Sequence, residues 1–113
     1  MADDEMDEVI AGLRGQFLAA LPDHAAAIRQ AWEILRGGGA PPTRRAAAEE
    51  LLRRAHRLAG NGAMVGFAAI SDAASPVEEM LRAALDADTS TTLPAELAEQ
   101  VARLLGACDA AGS

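Results

Sequence analysis

The chain has 113 residues, of which 50% are hydrophobic, 3% aromatic and 24% charged, and its formal net charge is −7. That length supports one core but not two, and the acidic balance excludes a nucleic-acid binder, which needs a basic footprint. Leucine and alanine dominate, tyrosine is absent and β-branched residues are scarce, a composition that favours an all-helical bundle.

The first helical segment, roughly 4–20, places Met6, Ile10, Leu13, Phe17 and Leu21 at helical spacing. Its acidic start, "MADDEMDE", lacks the basic and apolar regions of a signal peptide. Pro22 marks a new start, since proline is tolerated in a first helical turn. The second segment runs to about Arg36 and presents Ile28, Trp32 (or Ala31) and Leu35. "GGG" at 37–39 ends it, and "PP" at 41–42 opens a third segment that continues to about Val65. Gly66 separates this from a fourth, Phe67 to about Asp86, and the polar run "DADTSTT" is a loop.

A last segment from Pro94 to Ala107 carries Leu97, Val101, Leu104 and Leu105. Just beyond it stands the single cysteine, Cys108, which can close no internal disulfide. Nothing in the cysteine count suggests a metal site. Short connections between long helices imply antiparallel neighbours. The expected architecture is all-α: an up-down four-helix bundle with an additional N-terminal helix. It forms a single domain over residues 1–113, with 1–4 and 109–113 as loose ends. No apolar run of about 18 residues is present, so no membrane span is expected and the protein is read as cytoplasmic.

All ten positive charges are arginines. Arg44, Arg45, Arg53, Arg54 and Arg57 face only Glu49 and Glu50 in the same segment, which leaves +3 there and −10 elsewhere. Such a face is usually just solvated. Its histidine makes it more interesting. On a helical projection Ala48, Leu51, Ala55, Leu58, Gly62 and Val65 form the core stripe, and His56 lies roughly 120° from its centre. A lone histidine is commonly a satisfied core residue, but this one projects toward solvent. Ala59, Gly60 and Ala63 follow it on the same side, and Arg53 lies one turn back. Gly62 falls on the core stripe and suits close helix packing, whereas Gly60 faces outward and packs nothing.

An exposed imidazole with open approach and nearby arginines suits nucleophilic chemistry on phosphate. No P-loop, glycine-rich kinase loop or acidic metal cluster is visible, so the chain would pass on a phosphoryl group rather than generate one. His24 has no partner motif and reads as a surface residue, while Phe17 and Trp32 read as core.

The stretch "HRLAGNGAMVGF" resembles the motif of histidine-containing phosphotransfer (HPt) domains. His56, Leu58, Gly60, Asn61, Gly62, Val65 and Gly66 fill that pattern and Ile70 continues it. The similarity runs back through "FLAALPDHAAAIRQAW" and forward through "VEEML". It implies a four-helix bundle in which His56 is phosphorylated on Nε2 and exchanges the group with a receiver-domain aspartate of a response regulator or hybrid histidine kinase. It implies a carrier without its own ATP site or cofactor, the magnesium belonging to the receiver. The docking surface would comprise Ala59, Gly60, Ala63, Gly66 and Phe67.

Two departures qualify the match. The family usually has lysine three residues after the histidine, where this chain has Ala59, so Arg53 or Arg57 would have to stabilise the phosphoryl group. A receiver-binding module without phosphotransfer is therefore an alternative. On the facing helix many members carry glutamine, and the phosphotransfer domain of chemotaxis histidine kinases carries glutamate. Glu78 here would accept the Nδ1 proton, which makes the phosphoacceptor domain of such a kinase the other alternative. Pro76 should kink that helix by removing a bond to Asp72, which would leave Glu79 as the fallback.

Overall fold

Apolar residues spaced three and four apart give each helix one buried stripe, and these stripes meet in a common core. The structure, a computed structural model that describes residues 2–87 and 93–112, comprises α1 (Ala2–Arg36), α2 (Pro41–Met64), α3 (Ala68–Asp86) and α4 (Glu96–Ala111). No strand occurs among the described residues. Each helix packs on the next in sequence and α4 returns to α1, closing an up-down ring. The core is filled by aliphatic side chains, with Ile28, Leu51, Leu58, Ile70, Leu81, Leu97 and Leu104 all under 2% exposed.

The additional N-terminal helix expected from Pro22 is not a separate element. Residues 2–36 form one 35-residue helix that runs through the proline. Proline removes one backbone bond and crowds the preceding turn. Here Leu21, Ala25 and Ile28 are buried on either side of it, and this packing outweighs the local penalty. The N-terminal part of that helix extends past its neighbours. Met6 and Val9 are more than half exposed, and Ile10 and Leu13 are also open to solvent. Of the five residues placed on that stripe, only Phe17 and Leu21 reach the core. In the second half Ala31 is the buried residue and Trp32 packs partly against the core.

The other boundaries shift by one to four residues. Asp86 ends α3, while 88–92 of the expected loop lie outside the described residues. Helix α4 continues to Ala111, and Asp109 accepts hydrogen bonds from Arg29 at 3.1 and 3.2 Å. Residues 109–111 belong to α4, and α1 begins at Ala2. Met1 and Ser113 lie outside the described residues. Cys108 is buried, and desolvation pushes its thiol up to about 11, so it stays protonated and inert at neutral pH.

The contact between α2 and α3 sets the geometry around His56. A Cβ added at Gly62 would sit 3.3 Å from the Phe67 carbonyl oxygen and 3.4 Å from the Ser71 amide nitrogen, so a larger residue would press the two backbones apart by a few tenths of an ångström. The turn between them is a left-handed cap: Gly66 has φ +88°, and Phe67 N–H donates to the Gly62 carbonyl at 2.8 Å. Ser71 Oγ adds a cross-link by donating to the Ala59 carbonyl at 2.7 Å.

Substitutions at the glycines should separate these roles. Gly62→Val should cost about 1–3 kcal/mol by overpacking, and Gly66→Ala about 1–2 kcal/mol through its left-handed backbone. Gly12→Ala, in a helix position with nothing nearby, should gain up to about 1 kcal/mol. Denaturant midpoints of the three variants check the order.

Candidate functional site

His56 lies on the outer side of α2, where Ala55 and Leu58 turn inward and are fully buried. Its side chain is 68% exposed, and Nδ1 lies 2.5 Å from Oε2 of Glu78 on α3. A carboxylate offers only lone pairs, so the ring nitrogen is the donor. In the neutral ring this bond selects the Nδ1–H tautomer and leaves the lone pair on Nε2. Glu78 is only 17% exposed, and the same Oε2 accepts a second bond from Arg82 Nη2 at 2.7 Å. His56, Glu78 and Arg82 form a continuous hydrogen-bonded chain across two helices.

Helix α3 is continuous from Ala68 to Asp86 with Pro76 inside it. Ala73, Ala74, Val77 and Leu81 are each no more than 1% exposed, so α3 is packed into the core on both sides of the proline. Glu78, rather than the fallback Glu79, is the residue brought onto His56.

The small residues divide as the projection suggested. Gly62 is buried against α3, while Gly60 is exposed with open space where a side chain would be. Ala63 and Gly66 are exposed and Ala59 is half-buried. Phe67 is half-buried as well: its ring stacks on Phe17 with centroids 5.2 Å apart, and the Arg14 guanidinium lies over it. Met64 was not singled out by the motif. It is 64% exposed on the outer surface of α2, about two turns beyond His56 and toward the Arg57 flank. Its apolar character at an i+8 position was the available signal.

Neither candidate arginine of α2 is brought onto the ring. Arg53 bonds Glu50 one turn back. The charge of Arg57 acts on His24 of α1, on another side of the helix. Arg82, absent from the motif, is the cation that reaches the His56 chain. Its Glu-x-x-x-Arg spacing from Glu78 was legible as a helical ion pair.

His24 is half-buried rather than a plain surface residue. Arg54 donates to Glu50 at 2.8 Å, to Asp23 at 2.9 Å and to His24 Nδ1 at 3.1 Å, clamping α1 to α2. Burial, and then the Arg54 charge, hold the His24 pKa below its usual value.

A family model for the Hpt domain matches residues 12–109. The chain belongs to the Hpt domain family. Hpt domains are phosphocarrier modules, not classical enzymes; they serve histidine phosphotransfer in two-component signalling and interact with receiver domains. No protein of curated function and no solved structure matches the chain. In this Hpt domain no helix among the described residues is long and apolar enough to cross a membrane. Nor do the described residues bring together three or more His, Cys, Asp or Glu side chains that could hold a metal ion.

The clamp yields a pH dependence. With the folded pKa of His24 lowered, the unfolded chain binds the extra proton as pH falls through 6.5. Stability is thus complete above that pH and declines below it, until the folded ring also protonates. His24→Gln should flatten the fall in denaturant midpoint between pH 7 and 5.5, relative to the native chain.

Proposed function

We propose that this Hpt domain is a phosphorelay intermediate: His56 accepts a phosphoryl group on Nε2 and exchanges it with a receiver-domain aspartate of a response regulator or hybrid histidine kinase. One observation carries the reading. The exposed imidazole has Nδ1 bonded to Glu78 at 2.5 Å, which leaves Nε2 as the ring nitrogen outside that bond. Neutral imidazole is a competent nucleophile near neutral pH. Attack of the Nε2 lone pair on phosphorus forms the N–P bond and breaks the P–O bond to the aspartate, which leaves as a carboxylate. The Nδ1 proton remains on the ring, and Glu78 faces the positive charge that develops there.

The docking surface in this reading consists of Ala59, Gly60, Ala63, Gly66 and the exposed edge of Phe67, with Met64 added as an apolar contact. A bulky residue at Gly60 would stand in the approach to the ring. The domain contributes no metal ligand or cofactor; the receiver supplies magnesium beside its own aspartate. Arg53 and Arg57 act at longer range, softening repulsion between the phosphoryl dianion and an acidic partner. The relay operates in the cytoplasm.

The Glu78 carboxylate also favours a second reading, as the phosphoacceptor domain of a chemotaxis-type histidine kinase. Labelling by a separate ATP-binding kinase without any receiver would select that version.

Incubation with a phosphorylated receiver should give an acid-labile, base-stable phosphoprotein, and His56→Gln should abolish it; label retained in that variant would refute the assignment. Gly60→Arg should weaken receiver binding at least tenfold in a titration while the fold is kept, since a Cβ at this exposed position has nothing within 4 Å in the free domain.

A further inference from the structure

Glu78 can hold the His56 ring only if its own carboxylate is held. Glutamate has three rotatable side-chain bonds, and an imidazole that is 68% exposed does little to confine it. The second bond on Oε2 supplies the missing constraint. Arg82 stands one turn further along α3, and its Nη2 donates to the same oxygen that accepts from His56, at 2.7 and 2.5 Å respectively. Glu78 is the one hydrogen-bond acceptor of Arg82 among the described residues. A donor on the same helix at i+4 ties the carboxylate to α3 whatever the ring does.

We infer that Arg82 is a positioning residue for phosphoryl exchange at His56: it fixes Glu78, which fixes the Nδ1–H tautomer and the outward aim of Nε2. The inference rests on the phosphorelay reading of His56. Arg82 lies on the Nδ1 side of the ring, opposite the nitrogen that bonds phosphorus, so it acts through Glu78. Exposed i,i+4 ion pairs contribute little to stability, and Arg82 is 56% exposed. Its loss should therefore leave the fold intact and be read at the ring.

The experiment uses Arg82→Met and Arg82→Lys beside the native chain, with two readouts. The first is the ¹⁵N spectrum of the His56 ring, which measures the Nδ1–H fraction without any partner. The second is single-turnover transfer from a phosphorylated receiver over a range of receiver concentrations. Arg82→Met should lower the Nδ1–H fraction and reduce the maximal transfer rate about three- to tenfold. The half-saturating receiver concentration should stay within about twofold, and Arg82→Lys, which can still donate to Oε2, should restore most of both losses.

An unchanged or increased Nδ1–H fraction in Arg82→Met overturns the inference, because Glu78 then holds the ring unaided. A loss confined to half-saturation also overturns it, making Arg82 a docking contact instead. Failure of the native chain to take up phosphoryl overturns the phosphorelay reading itself, and the ring spectrum still reports whether Arg82 governs the tautomer.

Discussion

The α2–α3 crossing at Gly62 is the constraint on which the site depends. Two helices ordinarily stand 8–10 Å apart because side chains intervene. Here a missing Cβ lets the α2 backbone rest against Phe67 O and Ser71 N at the start of α3. Nearby, Ser71 bonds the Ala59 carbonyl, and the left-handed Gly66 returns the chain at the required angle. With the helices set this close, a histidine on the outer side of one and a glutamate on the flank of the other come within hydrogen-bonding distance. The bond crosses from one helix to the other, so the chemistry of His56 begins with packing.

Around that crossing, charge is arranged by helix face. The core-facing residues of α2 are alanine, leucine and glycine, which leaves two flanks with separate roles. One carries Arg54, which binds Glu50, Asp23 and His24 and joins α2 to α1. The other carries His56, joined through Glu78 to Arg82 on α3. The first network is half-buried and structural; the second ends in an exposed nitrogen. Each histidine has a ring nitrogen engaged, but in opposite senses. His24 accepts at Nδ1 from a guanidinium, whereas His56 donates there to a carboxylate.

The sequence made the helices, the core stripe of α2 and the outward direction of His56 legible, because all three follow from a 3.6-residue period. The division between Gly60 and Gly62 followed from the same projection. Where the pattern misled, tertiary packing had the final say. Pro22 was read as the start of a new helix, yet α1 runs through it with Leu21, Ala25 and Ile28 buried on either side. Met6, Ile10 and Leu13 show the converse: periodicity identifies an apolar face but not whether another helix lies opposite it. The Arg54–His24 contact spans 30 residues in the chain and leaves no periodic trace. Arg82 was readable as a partner of Glu78, but only the fold shows that both His56 and Arg82 use one oxygen.

The Ser71–Ala59 bond has a further consequence for the kinetics of encounter. It fixes the backbone one turn beyond His56 to a neighbouring helix, and Gly62 fixes the turn after that. No loop has to close over the ring, and no helix has to slide for Nε2 to be reached. The conformational entropy that a mobile site would lose on association has already been lost in folding. In the proposed relay such a surface would associate close to lock-and-key, at a rate governed by diffusion and mutual orientation rather than by a slow rearrangement.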